Sequence, residues 1–416
     1  MRGFPKTWTQ AQEKRFDAYL PYLGTRRLIN AVPCLHVAGT NGKGSVCAML
    51  ESMLRCAGYK TGLFTSPHLY CQTERIQING RPIEENRMQQ GLARVKEKLP
   101  NIGYFEQTFF CAMEAFEEQG CEIAVIETGI GGAMDVTNLV EPLVTVLANI
   151  GLDHTAVLGE TMEKIALQKA GIAKGKTPMV LYPGLPEEAL RVIEQHCKQI
   201  GAPVYSAEEI DCEVLEQTLF AKVRFCTENG PVGPLQLPLI GAHQTKNAQT
   251  ALCVLDHLPE AFSVGLRQRE QGLSQTKWPG RMQWFPNCGG EAQMLIDGAH
   301  NPQAAKQLAE NMRAIFPNVP CVLLCAVMRD KNAAEIVHAL SGFAGQAVCT
   351  VAEPGRGLPA EALAKLFACP AVAEENPKKA YERAKKLAKE KEALLVVAGS
   401  LYLPEAIGIE EKSKDA

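Results

Sequence analysis

The sequence predicts an α/β protein with two domains, each built on a mostly parallel sheet. Three observations lead to this fold class. The chain has 416 residues, which is too long for one ordinary core. Apolar runs of strand length alternate with helical patterns, as is typical of parallel sheets. This alternation begins again after a loop near residue 280, so we place the domains at residues 1–276 and 277–416.

The composition argues against several classes of protein. An apolar fraction of 46% and a charged fraction of 21% are typical of a soluble globular protein. The formal net charge of −3 gives no general attraction to nucleic acid or to a membrane, so we expect neither as a partner. No apolar run is long enough to span a bilayer, and the first residues lack the apolar core of a signal peptide.

The cysteines indicate a reducing compartment. The chain has 15 of them, an odd and scattered set without a C-x-x-C pair. Structural zinc is therefore not expected. Reduced thiols packed as small apolar side chains are the expectation, and with them a cytoplasmic location.

Residues 35–54, LHVAGTNGKGSVCAMLESML, predict an apolar strand, a glycine-rich turn and an amphipathic helix. The glycines let the backbone approach a ligand, Lys43 supplies a cation, and the helix start offers free N–H groups. This combination predicts that the turn binds a polyphosphate and its Mg²⁺. The match to the Walker A pattern is imperfect, because Val37 replaces a glycine and Gly44 replaces a hydroxyl residue. The alternative is a glycine-rich turn that only precedes a core helix.

Polar side chains follow three further predicted strands of the first domain, namely Ser66, Glu127 and His154. Because the carboxyl ends of parallel strands meet at one edge of a sheet, we expect these side chains near the phosphate-binding turn. A carboxylate in such a place suits Mg²⁺. The alternatives are a solvent-facing strand end for Glu127 and a structural role for His154. Lys169, taken alone, has the pattern of an exposed helical lysine.

The second domain begins with a loop, Trp-Pro-Gly-Arg, that ends at Arg281. Its first predicted strand runs into Asp297 and the segment DGAHNP, in which Pro302 suits the first turn of a helix. No G-x-G-x-x-G follows this strand, so the fingerprint of a dinucleotide-binding site is absent. Before the boundary, the turn that leads to Asn247 either contacts a ligand or caps a helix.

Taken in order, these segments resemble the folylpolyglutamate synthase/dihydrofolate synthase family within the Mur-type ligases. The resemblance covers nearly the whole chain. It is carried by HVAGTNGKGS, FTSPH, ERIQINGRPI, YFE, VIETGIGG, DVTN, NIGLDHTAVLGETMEKIALQKAGI, HQTKNA, WPGRM, DGAHNP, DKN and AGSLYL. It implies a P-loop-containing, Mur-ligase-like central ATPase domain and a smaller Rossmann-like C-terminal domain.

The resemblance also implies a reaction. ATP phosphorylates the terminal carboxylate of a folate, and the amino group of L-glutamate attacks the acyl phosphate to give an amide, ADP and phosphate. The implied small-molecule substrates are ATP, L-glutamate and a folate or dihydropteroate, the implied cofactor is Mg²⁺ at two sites, and we expect a monomer. Phosphoryl transfer between two anions needs cations near the bridging oxygens, which agrees with the residues above.

Individual roles are implied position by position. The nucleotide-binding positions are Asn41, Gly42, Lys43, Gly44, Ser45, Asn247, Arg281 and Asp297. The metal-ligating positions are Ser45, Ser66, Glu127 and His154. The pterin-side positions are Phe105, Glu106, Asp135, Thr137 and Asn138. The catalytic positions are Lys43, Lys169, Arg281 and His300. Lys169 matches a lysine that is carbamylated in this family and can then support the second metal.

The chain departs from the family pattern in three places. Ala133 stands where the family commonly has arginine, the segment before the phosphate-binding turn is short, and Gln168 precedes Lys169 where a glutamate is common. The first two leave open whether dihydropteroate is a substrate. One alternative is another Mur-type ligase, although only 38 residues precede Gly39, too few for a UDP-sugar-binding domain. The other is a P-loop nucleotide switch, for which the N-K-x-D pattern is missing.

Overall fold

The computed structural model describes residues 16–17, 19, 28–286 and 293–409. A helix that the sequence predicts over residues 9–23 lies outside them, apart from three residues. The charged end at residues 410–416 also lies outside them.

An eight-stranded sheet forms the centre of the first domain. Its strands are β1 (Cys34–Ala38), β2 (Thr61–Phe64), β3 (Ile76–Ile78), β4 (Arg81–Pro82), β5 (Ile123–Glu127), β6 (Val144–Leu147), β7 (Met179–Leu181) and β8 (Val204–Ser206). They lie in the order β4–β3–β2–β5–β1–β6–β7–β8. From β2 to β8 in this order, neighbouring strands pair in parallel. Strand β3 pairs antiparallel with β2 on one side and with β4 on the other. Because β1 lies between β5 and β6, its end is a topological switch point, where open α/β sheets bind ligands.

Helices cover both faces of this sheet. They are α1 (Lys43–Cys56), α2 (Glu85–Lys98), α3 (Tyr104–Glu118), α4 (Thr155–Leu158), α5 (Met162–Ala170), α6 (Glu187–Ile200), α7 (His243–Asp256) and α8 (Leu266–Gln275). The sequence does not predict α4 or α8. It predicts a helix that starts at residues 159–161 and runs to about Ala173, which corresponds to α5.

Helix α1 is buried on every side, so the predicted amphipathic pattern is wrong in this respect. The cause is that α7 and α8 pack against the side that faces away from the sheet. Polar residues of α1 find partners in both directions: the Ser52 hydroxyl donates to the Gly272 carbonyl of α8 at 2.8 Å, and Glu51 accepts from the Thr61 hydroxyl of β2 at 2.6 Å. A Cβ on Gly272 would lie 2.4 Å from the Cα of Met53, so glycine is needed where the helices touch.

A small antiparallel sheet follows, with β9 (Asp211–Gln217), β10 (Ala221–Thr227) and β11 (Gly230–Gln236) in the order β11–β10–β9. The predicted hairpin over residues 213–225 is confirmed by β9 and β10. The sequence does not predict β11, because Pro231 and Pro234 weigh against a strand. This strand lies at the sheet edge, where prolines are tolerated.

The second domain contains a six-stranded sheet. Its strands are β12 (Gln283–Phe285), β13 (Met294–Ile296), β14 (Cys321–Cys325), β15 (Gln346–Cys349), β16 (Ala371–Ala373) and β17 (Leu394–Ala398). They lie in the order β12–β13–β17–β14–β15–β16, and all pairs except β12–β13 are parallel. The helices are α9 (Pro302–Ile315), α10 (Ala333–Leu340), α11 (Ala360–Ala364), α12 (Pro377–Glu390) and α13 (Leu403–Ala406).

The doubly wound form predicted for this second domain is confirmed, with an apolar core on each face of the sheet. Strands β12 and β16 are too short, at three residues each, to give a clear pattern in the sequence. The predicted boundary between residues 276 and 277 falls in the connection between α8 and β12. None of the described helices is long and apolar enough to cross a bilayer.

Candidate active site

A cavity of about 760 Å³ lies where the carboxyl ends of the two parallel sheets face each other. Loops that follow β1, β2, β5 and β6 form one wall, and loops that follow β13, β14 and β17 form the other. Every site residue predicted from the sequence lines this cavity, except Thr137 and Asn138. The structure therefore brings the predicted phosphate, metal and catalytic positions together.

The phosphate-binding turn joins β1 to α1. Gly42 has a φ of 85°, and a Cβ there would lie 2.7 Å from the side-chain oxygen of Asn247, so the turn requires glycine. Lys43 Nζ donates to the carbonyls of Gly39 and Thr40 at 3.1 and 3.3 Å. The cation is thus held over the turn, at the positive end of the α1 dipole, which suits a polyphosphate.

The off-pattern Gly44 has a structural reason. A Cβ on Gly44 would lie 2.6 Å from Cζ2 of Trp278. The indole from the loop before β12 therefore packs directly on the first turn of α1. The hydroxyl that the Walker A pattern places at this position is supplied one residue later by Ser45, which is buried beside the cavity.

Glu127 ends β5 and is 4% exposed. Its Oε2 accepts the backbone N–H of Ser66 at 3.0 Å, and its Oε1 lies 3.8 Å from Lys43 Nζ. Burial raises the pKa of Glu127, and the Lys43 ammonium opposes that rise. The solvent-facing alternative for Glu127 is wrong.

Lys169, on α5, is also buried, so the pattern of an exposed helical lysine is misleading. It is 4% exposed, and its Nζ donates to the Gly39 carbonyl at 2.8 Å. Burial and the nearby Lys43 ammonium lower the pKa of Lys169 to about 7. A substantial fraction of this amine is therefore neutral, and nucleophilic, at physiological pH.

Asp153 connects the two walls, a role that the sequence does not predict. Its Oδ1 lies 2.6 Å from Lys331 Nζ, and its Oδ2 accepts the Asn301 side-chain amide at 3.1 Å. Burial alone would raise the pKa of Asp153, but the Lys331 ammonium and the histidines around it hold the pKa well below its usual range. Lys331 was missed as well, although the segment DKN that contains it carries part of the resemblance.

Two histidines flank this ion pair. His154 Nε2 lies 3.4 Å from Lys331 Nζ, and the backbone of His154 is left-handed, with a φ of 49°. Such a conformation is uncommon in a non-glycine residue. His300 Nε2 lies 3.8 Å from Asp153 Oδ2, and its Nδ1 donates to the Gly298 carbonyl at 2.8 Å. Desolvation lowers the pKa of His300 to about 4, so the ring is neutral with an unprotonated Nε2.

Asp297 and Arg281 lie where the second domain meets the phosphate-binding turn. The Asp297 carboxylate accepts the backbone N–H groups of Met282 and Ala299, both at 2.8 Å. It thereby fixes the loop that carries Arg281 into the cavity. Asn247, at the start of α7, is fully buried against Gly42 and donates to Gln244 at 2.9 Å.

The predicted pterin-side residues divide into two groups. Phe105 and Glu106 line the cavity at the start of α3, where the Glu106 carboxylate also caps the helix through the Gly103 N–H at 2.6 Å. Asp135 lines it too. Thr137 and Asn138 are fully buried behind that wall and do not reach the cavity.

The donor set fits a metal that is bound together with a nucleotide. Within the described part of the chain, no group of three or more histidine, cysteine, aspartate or glutamate side chains is arranged to hold a metal ion. Mg²⁺ usually keeps several waters and takes one or two carboxylates in addition to phosphate oxygens. Glu127 with the hydroxyls of Ser45 and Ser66 matches that requirement.

Comparison with known proteins agrees with this geometry. Residues 37–255 match the Mur ligase middle domain, and residues 280–401 match the Mur ligase, glutamate ligase domain. Over 329 residues the chain is 34% identical to dihydrofolate synthase/folylpolyglutamate synthase of Bacillus subtilis, covering 75% of each chain. The chain belongs to the folylpolyglutamate synthase/dihydrofolate synthase family of the Mur ligases. The resemblance inferred from the sequence is thus confirmed.

Solved structures show the same fold. FolC of Escherichia coli in complex with DHPP and ADP superimposes with a TM-score of 0.84 at 29% identity, covering 95% of this chain and 91% of that one. The bifunctional enzyme of Yersinia pestis complexed with AMPPNP and Mn gives a TM-score of 0.81 at 26% identity, covering 98% and 94%. Membership of this family makes the chain an ATP-dependent, amide-forming ligase that adds glutamate to folates, as predicted, and ATP and a divalent metal are the cofactors of such a ligase.

Proposed function

We propose that this chain extends tetrahydrofolate and its polyglutamates by one L-glutamate through an acyl phosphate, and that the residues of the cavity divide the work as follows. The observation that supports this most directly is the single cavity between two sheet edges, with a phosphate-binding turn on one wall and Lys331 and His300 on the other. Such a cavity holds the phosphoryl donor, the carboxylate and the amine within reach of one another.

The first wall handles the phosphoryl group. Lys43 and the N-terminus of α1 bind the ATP phosphates, and Arg281 adds a cation from the second domain. Ser45, Ser66, Glu127 and His154 would hold Mg²⁺, and that ion would supply further neutralisation of charge. These positive groups lower the repulsion between ATP and the carboxylate of the folate.

The second wall handles the incoming glutamate. Lys331 and Arg356 line it and supply positive charge for the carboxylates of that amino acid. The unprotonated Nε2 of His300 accepts a hydrogen bond from the amino group and orients it. The neutral amine then attacks the acyl carbon: the C–N bond forms, the acyl–oxygen bond to phosphate breaks, and the proton that the nitrogen loses leaves with the phosphate.

Lys169 is proposed to be carbamylated. Its amine is buried, is partly neutral at physiological pH and lies beside the phosphate-binding turn. A neutral amine adds to CO₂ and releases a proton, which gives a group similar to a carboxylate. That group would support a second Mg²⁺ site. Growth or incubation with ¹³C-bicarbonate followed by NMR detects the carbamate, and Lys169→Arg is the control without a neutral amine.

We further propose that the chain acts as a monomer, because one chain supplies both walls of the cavity. We propose a cytoplasmic location because the cysteines in the described part of the chain are free thiols. Whether it also converts dihydropteroate to dihydrofolate is decided by the same assay as the main activity. Purified protein receives ATP, Mg²⁺ and L-glutamate with either tetrahydrofolate or dihydropteroate, and ADP release is followed. We expect turnover with tetrahydrofolate that depends on L-glutamate. Absence of turnover with both acceptors would reject the assignment.

A further inference from the structure

One carboxylate, that of Asp135, holds the cavity wall just beyond Glu127 in place. Asp135 Oδ2 accepts the backbone N–H groups of Gly129 and Ile130, each at 3.0 Å. Asp135 Oδ1 accepts the backbone N–H of Thr137 at 3.0 Å and its hydroxyl at 2.7 Å. A carboxylate has about four lone-pair sites, so these four donors fill them. Asp135 therefore acts on the wall itself and has little capacity left for a ligand.

A buried histidine stands behind this carboxylate. His36, on β1, is fully buried, and its Nε2 lies 2.9 Å from the Thr137 hydroxyl. Because that hydroxyl donates its only proton to Asp135, Nε2 must carry a proton and donate to the hydroxyl. A chain of hydrogen bonds thus runs from His36 through the Thr137 hydroxyl to the Asp135 carboxylate, which accepts from the cavity wall.

His36 is not explained by packing. Its Nδ1 is buried and has no hydrogen-bond partner among the described residues. An apolar side chain of similar size would avoid leaving a polar atom unsatisfied. The ring atom of His36 that makes a hydrogen bond is therefore Nε2, and its partner is the Thr137 hydroxyl.

We propose that His36 and Thr137 are positioning residues for the ligase reaction, which fix Asp135 and, through it, the wall formed by Gly129 and Ile130. The proposal rests on the proposed function of this cavity. Ile130 is 47% exposed at the cavity surface, so this wall meets the part of the cavity where apolar substrate surface would bind. The phosphate-binding turn is held by other contacts. Loss of these hydrogen bonds should therefore weaken binding of the folate acceptor and leave ATP binding unchanged.

The test uses two substitutions of Thr137 in the full chain. Thr137→Val keeps the shape and removes the hydroxyl, whereas Thr137→Ser keeps the hydroxyl. For Thr137→Val we expect KM for tetrahydrofolate to rise about tenfold, the effect of losing one hydrogen bond to a charged group. KM for ATP should stay within about twofold, since ATP binds to separate groups. Thr137→Ser should recover most of the loss.

Substitutions at His36 supply the second measurement. His36→Phe should raise the same KM, and His36→Gln, which can donate through its amide, should restore it in part. The double variant His36→Phe/Thr137→Val should have the same KM for tetrahydrofolate as Thr137→Val, because both substitutions break the same chain of hydrogen bonds. If His36→Phe does not fold, the comparison of Thr137→Val with Thr137→Ser still tests whether the hydroxyl positions Asp135.

Two outcomes separate this inference from the function on which it depends. If the wild-type chain does not turn over tetrahydrofolate, the proposed function fails. If the wild type is active and Thr137→Val has the same KM for the folate, the positioning role is overturned, even where the melting temperature of the variant falls.

Discussion

The two walls of the cavity hold their cations in different ways. On the first wall, Lys43 and Lys169 both donate to the carbonyl of Gly39, which belongs to the phosphate-binding turn itself. On the second wall, Lys331 is held by Asp153 of the other domain, 178 positions away in the sequence. The first wall is therefore complete within one domain, whereas the second wall depends on how the domains meet.

Contacts between the domains differ in the same way. The Asp153–Lys331 pair is buried, with side chains 8% and 9% exposed. The pair between His68 and Glu405 has a contact of 3.3 Å, but the Glu405 side chain is 48% exposed. Buried pairs are costly to break and exposed pairs contribute little, so the Asp153–Lys331 pair should stabilise the arrangement of the domains more than the His68–Glu405 pair does. The following variants test this contrast.

The largest effect is expected for Lys43→Ala, on the first wall. Loss of the phosphate-binding cation should lower the rate of ADP release about 10³-fold, or about 4 kcal/mol, by analogy with the removal of one charge-stabilising donor. The melting temperature should fall less than in the Lys331→Met variant, because Lys43 Nζ lies 3.8 Å from Glu127 whereas Lys331 Nζ lies 2.6 Å from Asp153. Lys164→Ala, at an exposed position of α5, is the control. A fully active Lys43→Ala variant would contradict the assignment of this turn as the site that binds the ATP phosphates.

Lys331→Met tests the buried pair. Asp153 would remain buried without its ammonium partner, which should lower the free energy of unfolding by about 3 kcal/mol. Denaturant titration measures this. Adding Asp153→Asn to Lys331→Met should recover part of the loss, because the unpaired charge is removed. Equal stability of Lys331→Met and wild type would show that the second wall does not depend on this contact.

The pH dependence of stability tests the buried amine of the first wall. In buffer free of CO₂, the pKa of Lys169 is about 7 in the folded chain against an ordinary value of 10.5. Between pH 7 and 10.5 the unfolded chain binds more protons than the folded chain, so the free energy of unfolding rises with pH. Below pH 7 the folded chain bears the full cost of burying the charged Lys169 ammonium. From pH 7 to 8.5 the free energy of unfolding should rise by about 2 kcal/mol more in wild type than in Lys169→Met. The same slope in both proteins would contradict this, and Lys164→Met should keep the wild-type slope.

The smallest effect is expected for Glu405→Gln. The pair with His68 is largely exposed on the glutamate side. Its removal should cost less than about 0.5 kcal/mol of stability and leave turnover within about twofold. Thermal unfolding and the ADP-release assay measure both. A loss as large as that of Lys331→Met would mean that the exposed contact, and not the buried one, holds the domains.

The sequence predicts well what is encoded locally. Ser66, Glu127 and His154 each follow an apolar strand, and the rule for parallel sheets places them at one edge, as the structure shows. Gly42 is required by the left-handed turn itself. Fold class and most of the cavity lining follow from signals of this kind.

The rest depends on contacts between distant parts of the chain. Periodicity shows which face of a helix is apolar but not which helices cover it, so α1 and Lys169 are more buried than predicted. Nothing near Lys331 in the sequence reveals Asp153 as its partner. Thr137 and Asn138 follow Asp135 closely in the chain, yet the turn directs them away from the cavity.

The indole of Trp278 gives the molecule an optical signal at the phosphate-binding turn. It packs on Gly44 at the first turn of α1, so we expect its surroundings to change when an anion binds there. The chain has three tryptophans, and Trp284 stacks on Phe316 in the second domain, away from that turn. Since indole emission shifts with the polarity around the ring, the intrinsic fluorescence of Trp278 can follow nucleotide binding in real time, without a label.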